Sequence, residues 1–232
     1  MTTSIARDDA DLFRILKEEL FTAVVGDVLD AMGYRRQFLP AGIRPLDSSA
    51  KIAGRAMPVL EADVHSDGTP QSGGPLAQKP FGLMLEALDD LKPAEIYIAT
   101  GASLRYALWG GLMSTRATHL KAAGAILDGY VRDAAEIEAL GFTVFCRGLY
   151  AQDQGPRGKV IDFRSAIEID GVRIEPGDLL YGDREGVLVI PRAAEEEAIR
   201  RALEKARTEG AVAVAIRGGM SACEALAKFG VM

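Results

Sequence analysis

Two histidines and two cysteines are all that this chain offers to several common chemistries. His65 and His119 leave almost nothing from which to build a His-dependent triad or a multi-histidine metal site, and His119 falls within a predicted helix as an ordinary surface or interface residue. Cys146 and Cys223 are too few and too far apart for a zinc site or a disulfide framework, so both are expected to be reduced and structural. Basic charge is also short: 27 Lys and Arg stand against 33 Asp and Glu, a net charge of −6. That argues against a nucleic-acid binder, which needs a basic face to displace counterions. No apolar run approaches the length of a membrane span, and the opening MTTSIARDDADLF lacks the basic start and apolar core of a secretory signal. A cytoplasmic protein with no membrane partner is expected. None of the eight lysines (Lys17, Lys51, Lys79, Lys92, Lys121, Lys159, Lys205, Lys228) stands in a strongly apolar strand, as a neutral Schiff-base amine would require.

What is present is enough for a full core. With 232 residues, 48% hydrophobic and 26% charged, the chain is expected to be one domain over 1–232. Helical spacing over 8–32 predicts two short helices, with Thr22 capping the second and Asp27 a polar group upon it. KIAGRAMPVL alternates as a strand in which Gly54 marks a bend or close approach. Residues 61–80, dense in Gly, Pro, Ser and Gln, read as a long loop. Its alternating Asp63, His65 and Asp67 suit a solvent-exposed segment or a metal site. A helix over 81–91, a strand over 96–100, a helix over 111–123, a strand over 125–127, a helix over 134–140 and a strand over 143–146 give the βαβαβ rhythm of an α/β protein. From 159 to 191 the rhythm turns all-β, with four or five short strands separated by Asp170-Gly171, Pro176-Gly177 and Arg184-Glu185-Gly186. A layered α/β/β sandwich is the economical way to cover both parts. Residues 193–232 form a helical C-terminal arm: a helix over 193–209, then a second helix from Ser221 with a Ser221/Glu224 capping box.

Chemistry concentrates in WGGLMSTRATHLKAAGAILDGYVRDAAE, residues 109–136. A helix opening at Gly110-Gly111 and a parallel strand returning beside 96–100 should bring the amides of Gly111, Leu112 and Met113 close to Arg132 and Asp133. First-turn amides bind carboxylate or phosphate oxygens, and glycine lets a ligand approach the backbone. Arg132 adds a planar fork of donors, and Asp133 a hard oxygen ligand for Mg²⁺ or Mn²⁺. This set suits a metal-assisted site for a small anionic oxo-acid. The competing reading is a solvated loop in which Asp133 caps the next helix.

The pattern Gly111, twenty residues, Arg132-Asp133, two residues, Glu136 resembles the signature of the RraA-like family, which includes class II 4-hydroxy-4-methyl-2-oxoglutarate/4-carboxy-4-hydroxy-2-oxoadipate aldolases. The likeness runs from about residue 21 to the end, through VVGDVLDAMG, AGRAMPV, GAILDGYVRD, VFCRG, PGDLLYGDREGVLVIP and GGMSACEALAKFGVM. It implies the swivelling β/β/α fold, flanked by N- and C-terminal helices. It also implies a metal-dependent retro-aldol lyase that cleaves a 4-hydroxy-2-oxo acid to pyruvate and a second oxo acid, decarboxylates oxaloacetate on the side, and serves aromatic compound degradation. In such an enzyme Arg132 binds the pyruvyl carboxylate and keto oxygen, Asp133 holds Mg²⁺ or Mn²⁺, and Gly110, Gly111, Leu112 and Met113 border the substrate. Some members draw a glutamate from a neighbouring subunit's C-terminal region, for which Glu209 is the candidate by location. A homotrimer or dimer of trimers follows from such shared sites. Many relatives carry Glu or Asp after the first glycine, where this chain has Gly111. The alternative that the family brings is a non-enzymatic protein that binds and inhibits a ribonuclease assembly. A phosphohistidine-type swivelling domain lacks its histidine at a turn.

Overall fold

Alternation along the apolar strands sorts their side chains into two layers. In the computed structural model, which describes residues 6–64 and 75–230, Tyr97 and Ala99 of β3 (Glu95–Thr100) join one buried cluster while Ile96 and Ile98 join another. The split recurs in β5 (Gly124–Leu127), with Ala125 and Leu127 opposite Ile126, and in β7 (Val144–Cys146), with Val144 and Cys146 opposite Phe145.

The longest strand, β2 (Ile52–Asp63), is the axis of an eight-stranded sheet. It pairs in parallel with β3, and β5 and β7 continue the parallel run outward. On its other side β12 (Leu179–Asp183) pairs antiparallel with the first part of β2, and β9 (Gly158–Phe163) with the second. At the edges, β13 (Gly186–Ile190) pairs with β12 and β1 (Arg44–Pro45) with β7, both antiparallel. These edges approach one another: Phe38 bridges Leu188 of β13 while Arg44 pairs with Cys146 of β7. The chain between 38 and 44 spans at most ~20 Å, so the sheet curls nearly shut.

Helices α4 (Met84–Asp89), α5 (Gly111–His119) and α6 (Ala134–Leu140) cover one face through Met84, Leu88, Ala117 and Ile137. The other face packs on the hairpin of β10 (Ile167–Ile169) and β11 (Val172–Ile174), whose turn places Asp170 and Gly171 in the left-handed region. The expected α/β/β layering is therefore present, within a compact unit of residues 36–192.

Several boundaries differ from expectation, each for a reason of pairing. Phe81 and Leu83 exchange backbone bonds with Val160, so α4 starts only at Met84. Lys121 turns left-handed, its carbonyl accepting from Ala94 N, and ends the α5 segment short of residue 123. Of the expected loop over 61–80, Glu61 to Asp63 continue β2 against β9, and α3 (Pro75–Gln78) is a short helix. His65 and Asp67 lie outside the described residues.

The second compact unit comprises the described residues before 36 and after 192. Asp8 caps α1 (Asp9–Glu19), which buries Leu12, Phe13, Ile15 and Leu16. Thr22 does not cap α2 (Thr22–Ala31): it is the first helical residue and is buried, with Phe21 before it. Asp27 on α2 pairs at 2.5 Å with Lys205 of α7 (Glu195–Arg217). This helix runs well past 209, because Gly210 is followed by alanine-rich helix former and one glycine costs only about 1 kcal/mol. The capping box of Ser221 and Glu224 opens α8 (Ala222–Phe229) as expected.

Gly54 is the close approach anticipated at β2: a Cβ there would stand 2.5 Å from the Ala94 carbonyl oxygen and 3.0 Å from Ala123 Cβ. Backbone cannot yield as a side-chain tip can, so Gly54→Ala is expected to lose about 1 to 3 kcal/mol. Urea unfolding of the two proteins measures it, and an unchanged midpoint would show that β2 and β3 can separate freely.

Candidate active site

Three strands of the main sheet each run on into a strand of a smaller one. After β3 comes β4 (Ala107–Trp109), after β5 comes β6 (Tyr130–Val131), and after β7 comes β8 (Gly148–Leu149). These three pair in parallel, in the order β4-β6-β8. Their carboxyl ends deliver three segments to one place: Gly110-Gly111, Arg132-Asp133, and the loop carrying Asp153 and Gln154. Backbone bonds lock the register, from Arg132 N to Trp109 O, Tyr150 N to Val131 O, and Ala107 N to Gln152 O.

Asp133 holds a left-handed backbone (φ 59°, ψ 36°), a conformation aspartate tolerates better than most residues. It precedes α6 but makes no side-chain cap to it. Instead its Oδ2 accepts from Gly111 N at 3.0 Å, at the start of α5. Arg132 Nε lies 3.6 Å from the same oxygen, and Arg132 Nη1 pairs with Asp153 Oδ1 at 2.8 Å. Asp153 is fixed in turn by Gly155 N at 2.9 Å. The two glycines are required by what lies against them. A Cβ on Gly110 would be 2.7 Å from Asp133 Oδ2, and one on Gly111 would be 2.3 Å from Glu136 Oε2. Glu136 thus fills the space that a side chain at 111 would need.

A cavity of about 320 Å³ opens beside these groups. Gly110, Leu112, Met113, Arg132 and Asp133 line it, as do Asp153 and Gln154, and Gly111 borders it through its bond to Asp133. Glu209 does not line it and stands on α7, 3.6 Å from Lys205. Lys159 corrects the expectation for the lysines: it is buried on β9, its Nζ donating to the Lys79 carbonyl, and it does not line the cavity. Among the described residues no group of three His, Cys, Asp or Glu is placed to hold a metal. Asp133 and Glu136 supply carboxylates only, beside an opening to solvent. Hard oxygen donors with retained waters fit Mg²⁺ or Mn²⁺ and do not fit a closed zinc site.

Asp153, Gln154 and Glu61 are the polar groups that pattern reading missed. The signal available for the first two was position, since a third parallel strand ends where the other two do. Glu61 lies behind the cavity, 2% exposed, and its Oε2 accepts from Gln154 Nε2 at 2.8 Å. Its Oε1 and the hydroxyl of Tyr97 are buried with no partner among the described residues. Burial, and secondarily the charge of Asp63, push the Glu61 carboxyl up to about 8. Asp63 itself is held far below the usual carboxylate range, chiefly by the Ser103 amide and also by Arg105 and Tyr106. Tyr97 packs on Trp109 with ring centroids 4.9 Å apart, and Trp109 Nε1 donates to Ser114 Oγ at 2.7 Å.

A family model described as RraA-like, Aldolase/RraA, matches residues 22–189. A Halalkalibacterium halodurans protein named "Putative 4-hydroxy-4-methyl-2-oxoglutarate aldolase" is 31% identical over 206 residues, covering 88% of each chain. Protein DlpA of Legionella pneumophila is 29% identical over 199 residues, which are 85% of this chain but 30% of that protein's length. The crystal structure of Streptomyces coelicolor RraAS2, described as an unusual member of the RNase ES inhibitor RraA protein family, superposes with a TM-score of 0.74 at 22% identity. It covers 88% of this chain and 96% of its own. That likeness is one of fold.

The Glu61 carboxyl makes a stability prediction. Its folded value of about 8 lies above the ordinary 4.5, so its contribution is fully present below about pH 4.5 and is lost as pH rises through about 8. Between those limits the loss is about 1.4 kcal/mol per pH unit. Glu61→Gln keeps the shape without the charge, so the variant should gain on the natural protein steadily from pH 5 to pH 8. Parallel urea titrations at each pH measure the difference, and a constant gap would mean that Glu61 is not desolvated.

Proposed function

The chain belongs to the RraA-like family, and from that premise we propose that it is a divalent-metal-dependent lyase. It cleaves a 4-hydroxy-2-oxo acid to pyruvate and a second oxo compound, with oxaloacetate decarboxylation as a side activity. The observation that carries the reading is the meeting of Arg132, Asp133 and the α5 amino terminus at one cavity.

Arg132 presents its fork to the pyruvyl carboxylate and the 2-keto oxygen, held in place by Asp153. With Gly111 N engaged by Asp133, the Leu112 and Met113 amides are the first-turn donors left for the substrate carboxylate. As the 4-hydroxyl gives its proton to solvent water, its oxygen becomes the carbonyl of the departing half and the electron pair of the breaking C3–C4 bond moves onto C3. Negative charge then grows on the 2-oxygen, where the Arg132 N–H groups stabilise it. Protonation at C3 releases pyruvate. Oxaloacetate yields the same enolate by losing carbon dioxide. Asp133, with Glu136 beside it, would hold Mg²⁺ or Mn²⁺, which when bound supplies Lewis-acid polarisation of the keto oxygen.

The working form in this reading is a cytoplasmic homotrimer or dimer of trimers, in which Glu209 of a neighbouring subunit completes the site. Support for such assembly is the apolar surface of the arm, where Val214 is 65% and Leu226 52% exposed. Coupled pyruvate release from a panel of 4-hydroxy-2-oxo acids and oxaloacetate, with and without chelator, tests the activity. Silence toward all of them with Mg²⁺ present, together with capture of a ribonuclease, would replace it with the inhibitor reading.

Arg132→Lys keeps the charge and loses the fork. Turnover of the aldol substrate and of oxaloacetate should fall by similar factors, on the order of 10² to 10³, about 3 to 4 kcal/mol. A loss confined to one substrate would move Arg132 to the distal end of the pocket. Asp133→Ala takes the partner from the amide of buried Gly111, so stability should fall by about 1 to 3 kcal/mol with the fold retained. Metal-dependent turnover should vanish. A folded variant whose Mg²⁺ dependence is unaltered would remove Asp133 from the metal.

A further inference from the structure

The substrate for which the Halalkalibacterium halodurans relative is named is a dicarboxylic acid, and a second carboxylate calls for a second cation. The described lining of the cavity supplies one. Among its described lining residues Arg132 is the sole Lys or Arg, and it is already committed to Asp153 at 2.8 Å with Asp133 3.6 Å away. The lining therefore carries two carboxylates against one guanidinium. The rest of the wall is hydrocarbon and ring: Phe81, Met84, Leu85, Leu88, Leu112 and Met113. Leu85 and Leu112 are 55% and 86% exposed at this opening, leaving apolar surface that nothing in the chain covers among the described residues.

We infer that the departing half of the substrate carries an alkyl or aryl group at C4 and no second carboxylate. The inference rests on the lyase reading for its chemistry, but its physical content is a binding preference. Arg132 and the α5 amides satisfy the single carboxylate of the pyruvyl half. With Mg²⁺ on Asp133 its charge is met by Asp133 and Glu136, and Arg132 is met by Asp153. A second carboxylate would therefore be desolvated beside Asp153 with no further Lys or Arg in the described lining to pair it, whereas each methylene laid on the leucine and methionine wall improves binding by about fourfold.

Two arms separate this inference from the activity it rests on. The first is binding by titration calorimetry, with Mg²⁺ present, of 2-oxo-4-phenylbutanoate, 2-oxohexanoate and 2-oxoglutarate, none of which has a 4-hydroxyl to permit cleavage. The two monocarboxylates should bind on the order of 10-fold tighter than 2-oxoglutarate. Equal or tighter binding of 2-oxoglutarate overturns the inference whatever the enzyme does. In the second arm, kcat/KM for 4-hydroxy-2-oxoheptanoate and 4-hydroxy-2-oxo-4-phenylbutanoate is compared with that for 4-hydroxy-4-methyl-2-oxoglutarate. The same order is expected, and a preference for the dicarboxylate overturns the inference. Pyruvate from none of the three, nor from oxaloacetate, would count against the lyase reading, leaving the calorimetric ranking to decide the cavity's preference. Leu85→Arg, a change at a rim position with room for a long side chain, should narrow the gap by raising 2-oxoglutarate affinity about 10-fold. A folded variant with an unchanged ranking would place the distal group away from this wall.

Discussion

Everything at the site depends on one parallel pairing, that of β4, β6 and β8 laid across the ends of β3, β5 and β7. Each of these strands is only two or three residues long, far too short to be stable alone. They persist because each follows a strand of the main sheet in the chain, β6 and β8 within two residues and β4 after residues 101–106. The side chains of those main-sheet strands are buried on both faces. Rigidity is thus passed from a large core to three short loops, and those loops carry Gly110-Gly111, Arg132-Asp133 and Asp153-Gln154. The bond from Gly111 N to Asp133 Oδ2 then ties two of the three together at 3.0 Å. Binding groups held by backbone register need little reorganisation when charge develops, which is where electrostatic catalysis draws its advantage.

Much of this arrangement is legible in the amino-acid sequence. The apolar runs of β3, β5 and β7, the Asp170-Gly171 hairpin and the Ser221/Glu224 box are specified by residues close together in the chain, so local pattern suffices. The meeting of Arg132 and Asp133 with Gly111 also follows, because a right-handed βαβ crossover leaves few alternatives. The small sheet is not legible. Tyr130-Val131 and Gly148-Leu149 show no alternation over two residues, and only their pairing makes them strands. Nothing local marks Asp153 as the partner of Arg132, since AQDQGPRG reads as any polar loop. The α7 extension is hidden by Gly210, whose penalty the flanking helix formers outweigh.

Behind the pocket lies a polar layer that stability alone would not select. Glu61 is buried with one oxygen unsatisfied, Tyr97 is buried with its hydroxyl unsatisfied, and each such group costs on the order of 1 to 3 kcal/mol. Both sit beneath cavity residues: Glu61 bonds Gln154, and Tyr97 packs on Trp109. A neutral Glu61 keeps the layer from adding a third negative charge behind Asp133 and Asp153, and it presents an oxygen that fixes the Gln154 amide. Local conflict of this kind concentrates where a fold serves something besides its own stability.

The glycine pair governs how charge is placed around Asp133. At Gly111 the volume that a side chain would take is occupied by Glu136 Oε2. A carboxylate at the start of α5 is thus supplied from α6. This keeps negative charge beside the α5 amino terminus, where the helix dipole favours it. It also makes the two positions interdependent, because any side chain at 111 must displace Glu136 before it can enter. The number of carboxylates near Asp133 is in this way limited by space as well as by sequence, and Arg132, the one Lys or Arg among the cavity's described lining residues, faces a charge balance that the backbone itself enforces.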